Sequence, residues 1–242
     1  KLDRYHEDGF LIHKLSFSNN NEEYNKAINI RLFYEVISKF NKLCTIFKPY
    51  IFKLLINIFK PKDIKPTILD LSSGWGDRLI SSICLEEQIN KYIGIDPNSE
   101  LFKGYKKMLN DYAKDKNKFI LIESPSENVD YKKLNEEIDI IFWSPPFSVQ
   151  EHYVTDTFRD DYKLQSTNKY KEYNDWEDNF LIKTINESTK ILRKNGIFIL
   201  YVGSIDFDSF FKKIEKINHL KYLGVINMRV NKIRHHRIFV KI

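Results

Sequence analysis

The sequence has few of the residues that build metal centres or disulfide frameworks. Only two cysteines occur, Cys44 and Cys84, and they lie far apart in apolar segments. Such a pair makes neither a disulfide framework nor a metal site. The adjacent histidines His235 and His236 have no cysteine or acidic residue near them in sequence, so we expect no metal there either. The cysteine usage favours a reducing, intracellular compartment, and we expect a cytoplasmic protein.

Long hydrophobic runs are also absent. No stretch of about 18 uncharged apolar residues occurs, and the most apolar segment, residues 46–59, is interrupted by Lys48, Pro49 and Lys53. The sequence therefore predicts neither a membrane span nor a signal peptide. The first residue is Lys1 rather than methionine, which leaves open whether the chain is a piece of a longer protein.

Glycine is scarce, with eight residues in 242, yet Gly74 and Gly76 lie close together in the segment Leu-Asp-Leu-Ser-Ser-Gly-Trp-Gly-Asp-Arg at residues 69–78. An apolar run before this segment and an amphipathic one after it predict a strand, a turn and a helix. Without Cβ atoms, the backbone of such a turn can approach a ligand closely. The three-glycine dinucleotide fingerprint and the Gly-Lys-Ser/Thr phosphate loop are both missing.

A second nucleotide-type signal follows the next predicted strand. Asp96, in Gly94-Ile95-Asp96-Pro97-Asn98, stands where an acidic side chain can accept hydrogen bonds from ribose hydroxyls. Together with the glycine turn, it indicates a cofactor with ribose and adenine that need not carry a pyrophosphate. This combination favours S-adenosyl-L-methionine.

The hydrophobic pattern predicts one α/β core. Hydrophobic residues make up 42% of the chain, and from residue 61 short apolar runs alternate with amphipathic segments, which is typical of a parallel sheet covered by helices. We expect a Rossmann-like, mostly parallel sheet of seven strands with a C-terminal antiparallel hairpin. The predicted strands are residues 67–71, 91–95, 118–122, 138–143, 197–202, 222–230 and 237–242, and the predicted helices are residues 77–87, 99–113, 131–136, 175–193 and 206–217.

Residues 1–60 are expected to form a helical extension, and residues 61–242 the catalytic domain. Polar residues at 19–23 favour the start of a helix. Apolar side chains then recur every three or four positions from Ile28 to Ile51, with Pro49 as a break. This layer either packs on the core or covers the cofactor or substrate.

The tetrapeptide Ser144-Pro145-Pro146-Phe147 directly follows the apolar run 138–143. A proline pair can simply end a strand and stiffen a loop. At the end of a strand beside a cofactor turn, the same loop offers a hydroxyl, rigid carbonyls and an aromatic face that can hold an amine-bearing ring. By strand alternation, one of Phe142 and Trp143 is expected to face the core and the other to line the pocket.

These motifs resemble those of class I S-adenosylmethionine-dependent methyltransferases that methylate amino groups, such as DNA adenine-N6 and cytosine-N4 enzymes. The resemblance covers residues 61–242. The first motif is residues 70–76, the second is at Asp96, and the catalytic loop is residues 144–147. Residues 74–79, Asp96-Pro97-Asn98, the 144–147 loop and Glu151-x-Tyr153 also resemble phage and large-virus methyltransferases, which would place the protein in a virus-infected cell. One departure is Ser72, where the family usually has glycine.

The resemblance implies a role for each matching residue. The cofactor-binding candidates are Asp70, Ser72, Gly74, Gly76, Asp96, Pro97, Asn98 and Glu127. The catalytic candidates are Ser144, Pro145, Pro146 and Phe147, with the Ser144 hydroxyl and the Pro145 carbonyl accepting hydrogen bonds from the target amine. Glu123 is an alternative to Glu127 for contacting the adenine, and spacing does not choose between them.

The substrate is less sharply indicated. A net charge of +6 and a pI near 9.0 permit a polyanionic partner, and the substrate-binding candidates are Glu151, Tyr153, Arg159 and Arg234. We expect methylation of a nucleobase amino group in DNA or RNA. The chain has few residues outside the catalytic domain with which to recognise the sequence of a duplex. Single-stranded targets require fewer contacts of this kind. The alternatives are a protein glutamine amide as substrate, or a catalytically silent subunit that binds nucleic acid for a protein partner; a homo-oligomer is equally open.

Overall fold

The computed structural model describes residues 2–7, 10–15, 47–146, 160–202, 207–229 and 233–242. The chain divides into two compact units, residues 1–45 and residues 46–242.

In the first unit, strands β1 (Leu2–Glu7) and β2 (Phe10–Leu15) form an antiparallel hairpin in which Leu2 pairs with Leu15. The expectation of a wholly helical extension is wrong for these residues. The overlooked signal is the dipeptide between the strands, Asp8-Gly9, because such pairs are typical of two-residue hairpin connections. The helix expected between residues 19 and 46 lies outside the described residues.

The second unit is built on a seven-stranded sheet with the order β5-β4-β3-β6-β7-β9-β8. Strands β3 to β7 are parallel, whereas β9 runs antiparallel to β7 and pairs with β8 as a hairpin. The expected Rossmann-like sheet is therefore confirmed, including its C-terminal hairpin. The bounds are β3 (Thr67–Asp70), β4 (Lys91–Asp96), β5 (Phe119–Glu123), β6 (Ile138–Trp143), β7 (Leu192–Tyr201), β8 (Leu220–Arg229) and β9 (Ile233–Lys241).

Helices cover both faces of this sheet. They are α1 (Pro49–Phe59), α2 (Asp77–Ile83), α3 (Ser99–Tyr112), α4 (Ser166–Lys169), α5 (Tyr173–Trp176), α6 (Lys183–Lys190) and α7 (Phe207–Ile214), and a π-helical stretch, Glu177–Ile182, joins α5 to α6. Short 3₁₀ turns occur at Lys116–Lys118, Ser126–Asn128, Tyr131–Leu134 and Asp160–Leu164. Within the described ranges, no helix has the length and apolar character needed to cross a membrane.

Two apolar clusters fill the space on the two sides of the sheet. The central strands are buried on both faces, which explains their nearly continuous apolar runs. Phe142 belongs to the cluster beneath α1, α2 and α3, and Trp143 to the cluster beneath α5 and α6. Both side chains have no exposed surface, so the expectation that one of them lines the pocket is wrong.

Helix α1 is part of this core. Its residues Ile51, Phe52, Leu55 and Ile56 are buried, and the Phe52 ring meets the Phe142 ring edge-on with centroids 5.3 Å apart. The compact unit therefore begins at Ile46 rather than at the expected residue 61. The physical reason is that one face of the sheet would lose its apolar cover without this helix.

Neighbouring leucines in α1 test this assignment. Leu55 has no exposed surface, whereas Leu54 is 50% exposed. We expect Leu55→Ala to lower the free energy of unfolding by about 2–5 kcal/mol, because it leaves a cavity in the core. The matched control Leu54→Ala should change it by less than about 0.5 kcal/mol. Urea unfolding measures both, and equal effects would show that α1 is not anchored in the core.

Candidate active site

The candidate residues gather at the carboxyl edge of the parallel strands. The chain passes from β3 to β4 and β5 on one side, then returns to β6 on the other side of β3. In open α/β sheets, this reversal of strand order opens the crevice in which ligands bind. Asp70, Asp96 and Trp143 are the last residues of the three strands concerned, so the turn after β3 and the loop after β6 are neighbours.

The turn after β3 depends on its two glycines. Gly74 and Gly76 have φ angles of +55° and +86°, a region that side chains disfavour. A Cβ on Gly76 would lie 2.9 Å from the Met108 sulfur, so this glycine also permits close packing on α3. A Cβ on Gly74 would meet only the Ser72 carbonyl oxygen, at 3.9 Å. Gly74 therefore leaves space beside its α-carbon that a ligand can approach.

Asp70 lies beneath this turn, with no exposed surface. Its Oδ2 accepts hydrogen bonds from Arg78 Nε at 2.8 Å and from the Tyr92 hydroxyl at 2.7 Å, and its Oδ1 accepts one from the Ser72 N–H at 3.2 Å. Burial, and then the negative charge of Asp70, raise the pKa of Tyr92 well above its usual value. Asp70 is thus placed to support the turn from below, whereas the sequence suggested direct contact with the cofactor.

Arg78 was not predicted to have a role. Its guanidinium packs against both the Phe47 and the Phe142 ring, 5.5 and 5.3 Å from their centroids. Burial alone would lower the pKa of Arg78, but the adjacent Asp70 raises it above its ordinary value. Nothing in the spacing of Asp70 and Arg78 signals an ion pair, because the contact requires the start of α2 to fold back over the end of β3.

Asp96 holds the turn from the neighbouring strand. Its Oδ2 accepts a hydrogen bond from the Gly74 N–H at 2.8 Å, and its Oδ1 accepts one from the Asn98 N–H at 2.9 Å. Burial raises the pKa of Asp96 to about 6, although these two N–H groups oppose the shift. Each oxygen keeps a further lone pair for a donor such as a ribose hydroxyl. Pro97 is half-buried, and the Asn98 side chain caps α3 by accepting from the Glu100 N–H.

The loop after β6 is bonded directly to the turn after β3. The Ser72 hydroxyl donates a hydrogen bond to the Ser144 carbonyl oxygen at 2.7 Å, and the Leu71 N–H donates to the Phe142 carbonyl at 3.1 Å. Ser144 and Pro146 are half-buried, and Pro145 is buried. The two motifs separated in sequence thus share one hydrogen-bonded frame.

The two glutamates considered for contacting the adenine, Glu123 and Glu127, differ in their exposure. Glu123 is exposed at the end of β5, whereas Glu127 is buried in the following turn. Glu127 Oε1 accepts hydrogen bonds from Lys169 Nζ at 2.9 Å and from the Tyr170 hydroxyl at 3.2 Å. Its Oε2 is buried and has no hydrogen-bond partner within the described part of the chain.

Residues 160–170 contact this edge at two places. Asp161 Oδ2 accepts hydrogen bonds from both the N–H and the hydroxyl of Ser99, at 3.0 Å each, at the start of α3. Further along, Lys169 and Tyr170 reach Glu127. These contacts could not be predicted from the sequence, because a single acid or lysine in a segment of mixed charge does not identify its partner.

Four predicted residues, Phe147, Glu151, Tyr153 and Arg159, lie outside the described residues. Arg234 belongs to β9. Since His236 pairs with Tyr201, the last residue of β7, Arg234 lies beyond the carboxyl end of that strand. Its assigned role stays a prediction.

Neither a scan against protein-family models nor a search of curated proteins finds a match. Solved structures that superpose on the chain include the following three. The crystal structure of a methyltransferase from Pyrococcus furiosus has a TM-score of 0.52 at 16% identity and covers 90% of this chain and 98% of that one. A putative rRNA-methylase from Clostridium thermocellum has a TM-score of 0.52 at 14% identity, covering 82% and 100%. A putative class I S-adenosylmethionine-dependent methyltransferase from Listeria monocytogenes has a TM-score of 0.53 at 16% identity, covering 93% and 69%.

These likenesses show that the chain has the fold of class I methyltransferases. At identities of 14% to 16%, these likenesses show the fold alone.

The buried ion pair beneath the turn gives a test of this site. We expect Arg78→Leu to lower the free energy of unfolding by about 3–5 kcal/mol, because Asp70 would keep a buried charge without its cation. Chemical denaturation measures the loss. As a control, Lys107→Ala removes one partner of the exposed pair with Asp111 and should leave the unfolding midpoint unchanged. Equal midpoints for both variants would contradict a structural role for the buried pair.

Proposed function

We propose that this protein is an S-adenosylmethionine-dependent N-methyltransferase that methylates an exocyclic amino group of a nucleobase in DNA or RNA, of the N6-adenine or N4-cytosine type. The observation that carries the proposal is the Ser144-Pro145-Pro146 loop, which follows β6 at the switch point of the sheet and is hydrogen-bonded to the glycine turn.

The residues of the edge fit the proposed cofactor. When bound, S-adenosylmethionine supplies an electrophilic methyl group on a sulfonium. Open backbone at Gly74 suits the methionyl part, and the remaining lone pairs of Asp96 suit the ribose hydroxyls. Glu127 Oε2 suits the adenine amino group, because a buried oxygen without a partner costs free energy that a donor would recover.

The loop after β6 supplies the acceptors for the target amine. An exocyclic amino group is conjugated into its ring, so its lone pair must be turned out of that conjugation before it can attack. Ser144 Oγ and the Pro145 carbonyl oxygen accept the two N–H groups and thereby direct the lone pair away from them. Proline rings fix φ at residues 145 and 146, which stiffens the backbone that carries these acceptors, and positioning lowers the barrier.

The choice of a nucleic acid as the substrate rests on net charge and on a likeness of fold. The net charge is +6, which favours a polyanionic partner, and one of the structures with this fold is named as a putative rRNA-methylase. Phe147 would stack on the target base, and Glu151, Tyr153, Arg159 and Arg234 would contact the substrate. The lean chain favours RNA or single-stranded DNA over duplex DNA.

A methyl-transfer assay tests the proposal. The purified protein would be incubated with tritiated-methyl S-adenosylmethionine and duplex DNA, single-stranded DNA, capped RNA, uncapped RNA or protein extract, and the labelled nucleoside or amino acid identified. We expect label on a nucleobase amino group, and a loss of about 100-fold in kcat for Ser144→Ala with cofactor binding retained in calorimetry. Label on protein alone would favour a glutamine-amide substrate, and absence of cofactor binding would favour a silent binding subunit.

The raised pKa of Asp96 predicts that cofactor affinity and folding stability change with pH in opposite directions. Ribose hydroxyls donate to the ionised carboxylate, and the pKa of Asp96 is about 6. We therefore expect the association constant for the cofactor to be constant above pH 7 and to fall about tenfold by pH 5. Since the pKa is raised on folding, the contribution of Asp96 to stability is greatest below about pH 4 and is lost as the pH rises through 6.

Calorimetry and chemical denaturation between pH 4 and 8 measure the two effects. In Asp96→Asn both pH dependences should flatten, and the cofactor should bind more weakly at every pH. If affinity and stability in this range fell together as the pH dropped, Asp96 would not be the controlling group.

A further inference from the structure

We propose that Ser72 is a positioning residue that sets the orientation of the Ser144–Pro145 peptide and so aligns the amine-binding loop with the cofactor turn. The kinetic part of this inference rests on the proposed function, whereas the hydrogen bond itself can be tested without it. Ser72 stands where the family that the sequence resembles usually has glycine, and glycine has no hydroxyl to donate.

The Ser144 carbonyl is the group through which the Ser144–Pro145 peptide can be held in one orientation. The Ser144–Pro145 peptide has no N–H, so this carbonyl is its only hydrogen-bonding group. Proline rings fix φ of the next two residues, which leaves ψ of Ser144 as the rotation that moves its carbonyl relative to its side chain. A hydrogen bond from Ser72 Oγ at 2.7 Å holds that rotation. It therefore restricts where the Ser144 hydroxyl can stand relative to the Pro145 carbonyl.

Ser72 is itself held firmly. Its N–H donates to Asp70 Oδ1 at 3.2 Å, and Asp70 is held by Arg78 and Tyr92. The preceding residue, Leu71, is fixed on both sides, since its carbonyl accepts from Ser126 Oγ and its N–H donates to the Phe142 carbonyl. The loop is thus positioned by the buried ion pair, through a single half-buried hydroxyl.

The same geometry separates catalysis from cofactor binding. The contacts proposed for the cofactor use the Gly74 backbone and the side chains of Asp96 and Glu127, and none uses the Ser72 hydroxyl. Removing that hydroxyl should therefore slow the chemical step while the cofactor still binds. A serine that only shaped the turn would show the reverse, because a distorted turn weakens cofactor binding first.

Carbonyl NMR tests the hydrogen bond directly. The chain contains two Ser-Pro pairs, Ser124-Pro125 and Ser144-Pro145, so protein labelled with carbonyl-¹³C serine and ¹⁵N proline gives two carbonyl–nitrogen cross-peaks. The Ser144→Ala variant loses one of the two peaks and so assigns them. We expect Ser72→Ala to shift the Ser144 peak to lower carbonyl frequency and to leave the Ser124 peak in place. The matched control is Ser73→Ala, because the Ser73 hydroxyl faces Tyr92 and should leave the Ser144 peak unmoved. An unshifted Ser144 peak in Ser72→Ala would overturn the proposal.

Kinetics test the consequence. In Ser72→Ala we expect the calorimetric Kd for S-adenosylmethionine to stay within about twofold and kcat to fall about tenfold, the loss of one hydrogen bond. Ser72→Thr, which keeps the hydroxyl, should restore kcat and the Ser144 carbonyl shift. A parallel loss of cofactor affinity and kcat, without rescue by threonine, would overturn the positioning role. If the wild-type protein transferred no methyl group to any substrate, the proposed function would fail, while the Ser144 peak would still decide how the peptide is held.

Discussion

A carboxylate with no access to water, Asp70, is the constraint on which the site depends. A buried charge is tolerated only when it is paired and hydrogen-bonded. Asp70 obtains its partners from three parts of the fold, namely Arg78 in α2, Tyr92 in β4 and the backbone of Ser72. Because these partners come from separate elements, satisfying the charge constrains how those elements pack around the turn after β3.

Hydrogen bonds connect this turn to the segments at the ends of the neighbouring strands. Asp96 holds it through the Gly74 N–H, Ser126 holds the Leu71 carbonyl, and the Ser72 hydroxyl carries the same frame to Ser144. Methyl transfer requires donor and acceptor to be aligned closely along one line. Hydrogen bonds join the proposed cofactor turn to the proposed amine-binding loop, and such a frame would hold the two parts in a fixed relation.

Several features could be predicted because they depend on local sequence. Continuous apolar runs identified β3, β4 and β6, whose two faces are both covered, and the rarity of glycine made Gly74 and Gly76 stand out. Asp96 and Ser144 were placed correctly at one edge, since parallel strands align their carboxyl ends. The burial of Glu127 could not be predicted, because its partners Lys169 and Tyr170 come from a distant segment of the chain.

The sequence by itself therefore determined the class of fold, the edge at which the site lies and the kinds of side chain present there. Only the tertiary structure decided that Arg78 neutralises Asp70, that α1 belongs to the core, and that Ser72 reaches across to Ser144. The physical reason is the range of the interactions. Strand and turn preferences act between near neighbours in the chain, whereas ion pairs and hydrogen bonds between separate elements exist only after the sheet has brought them together.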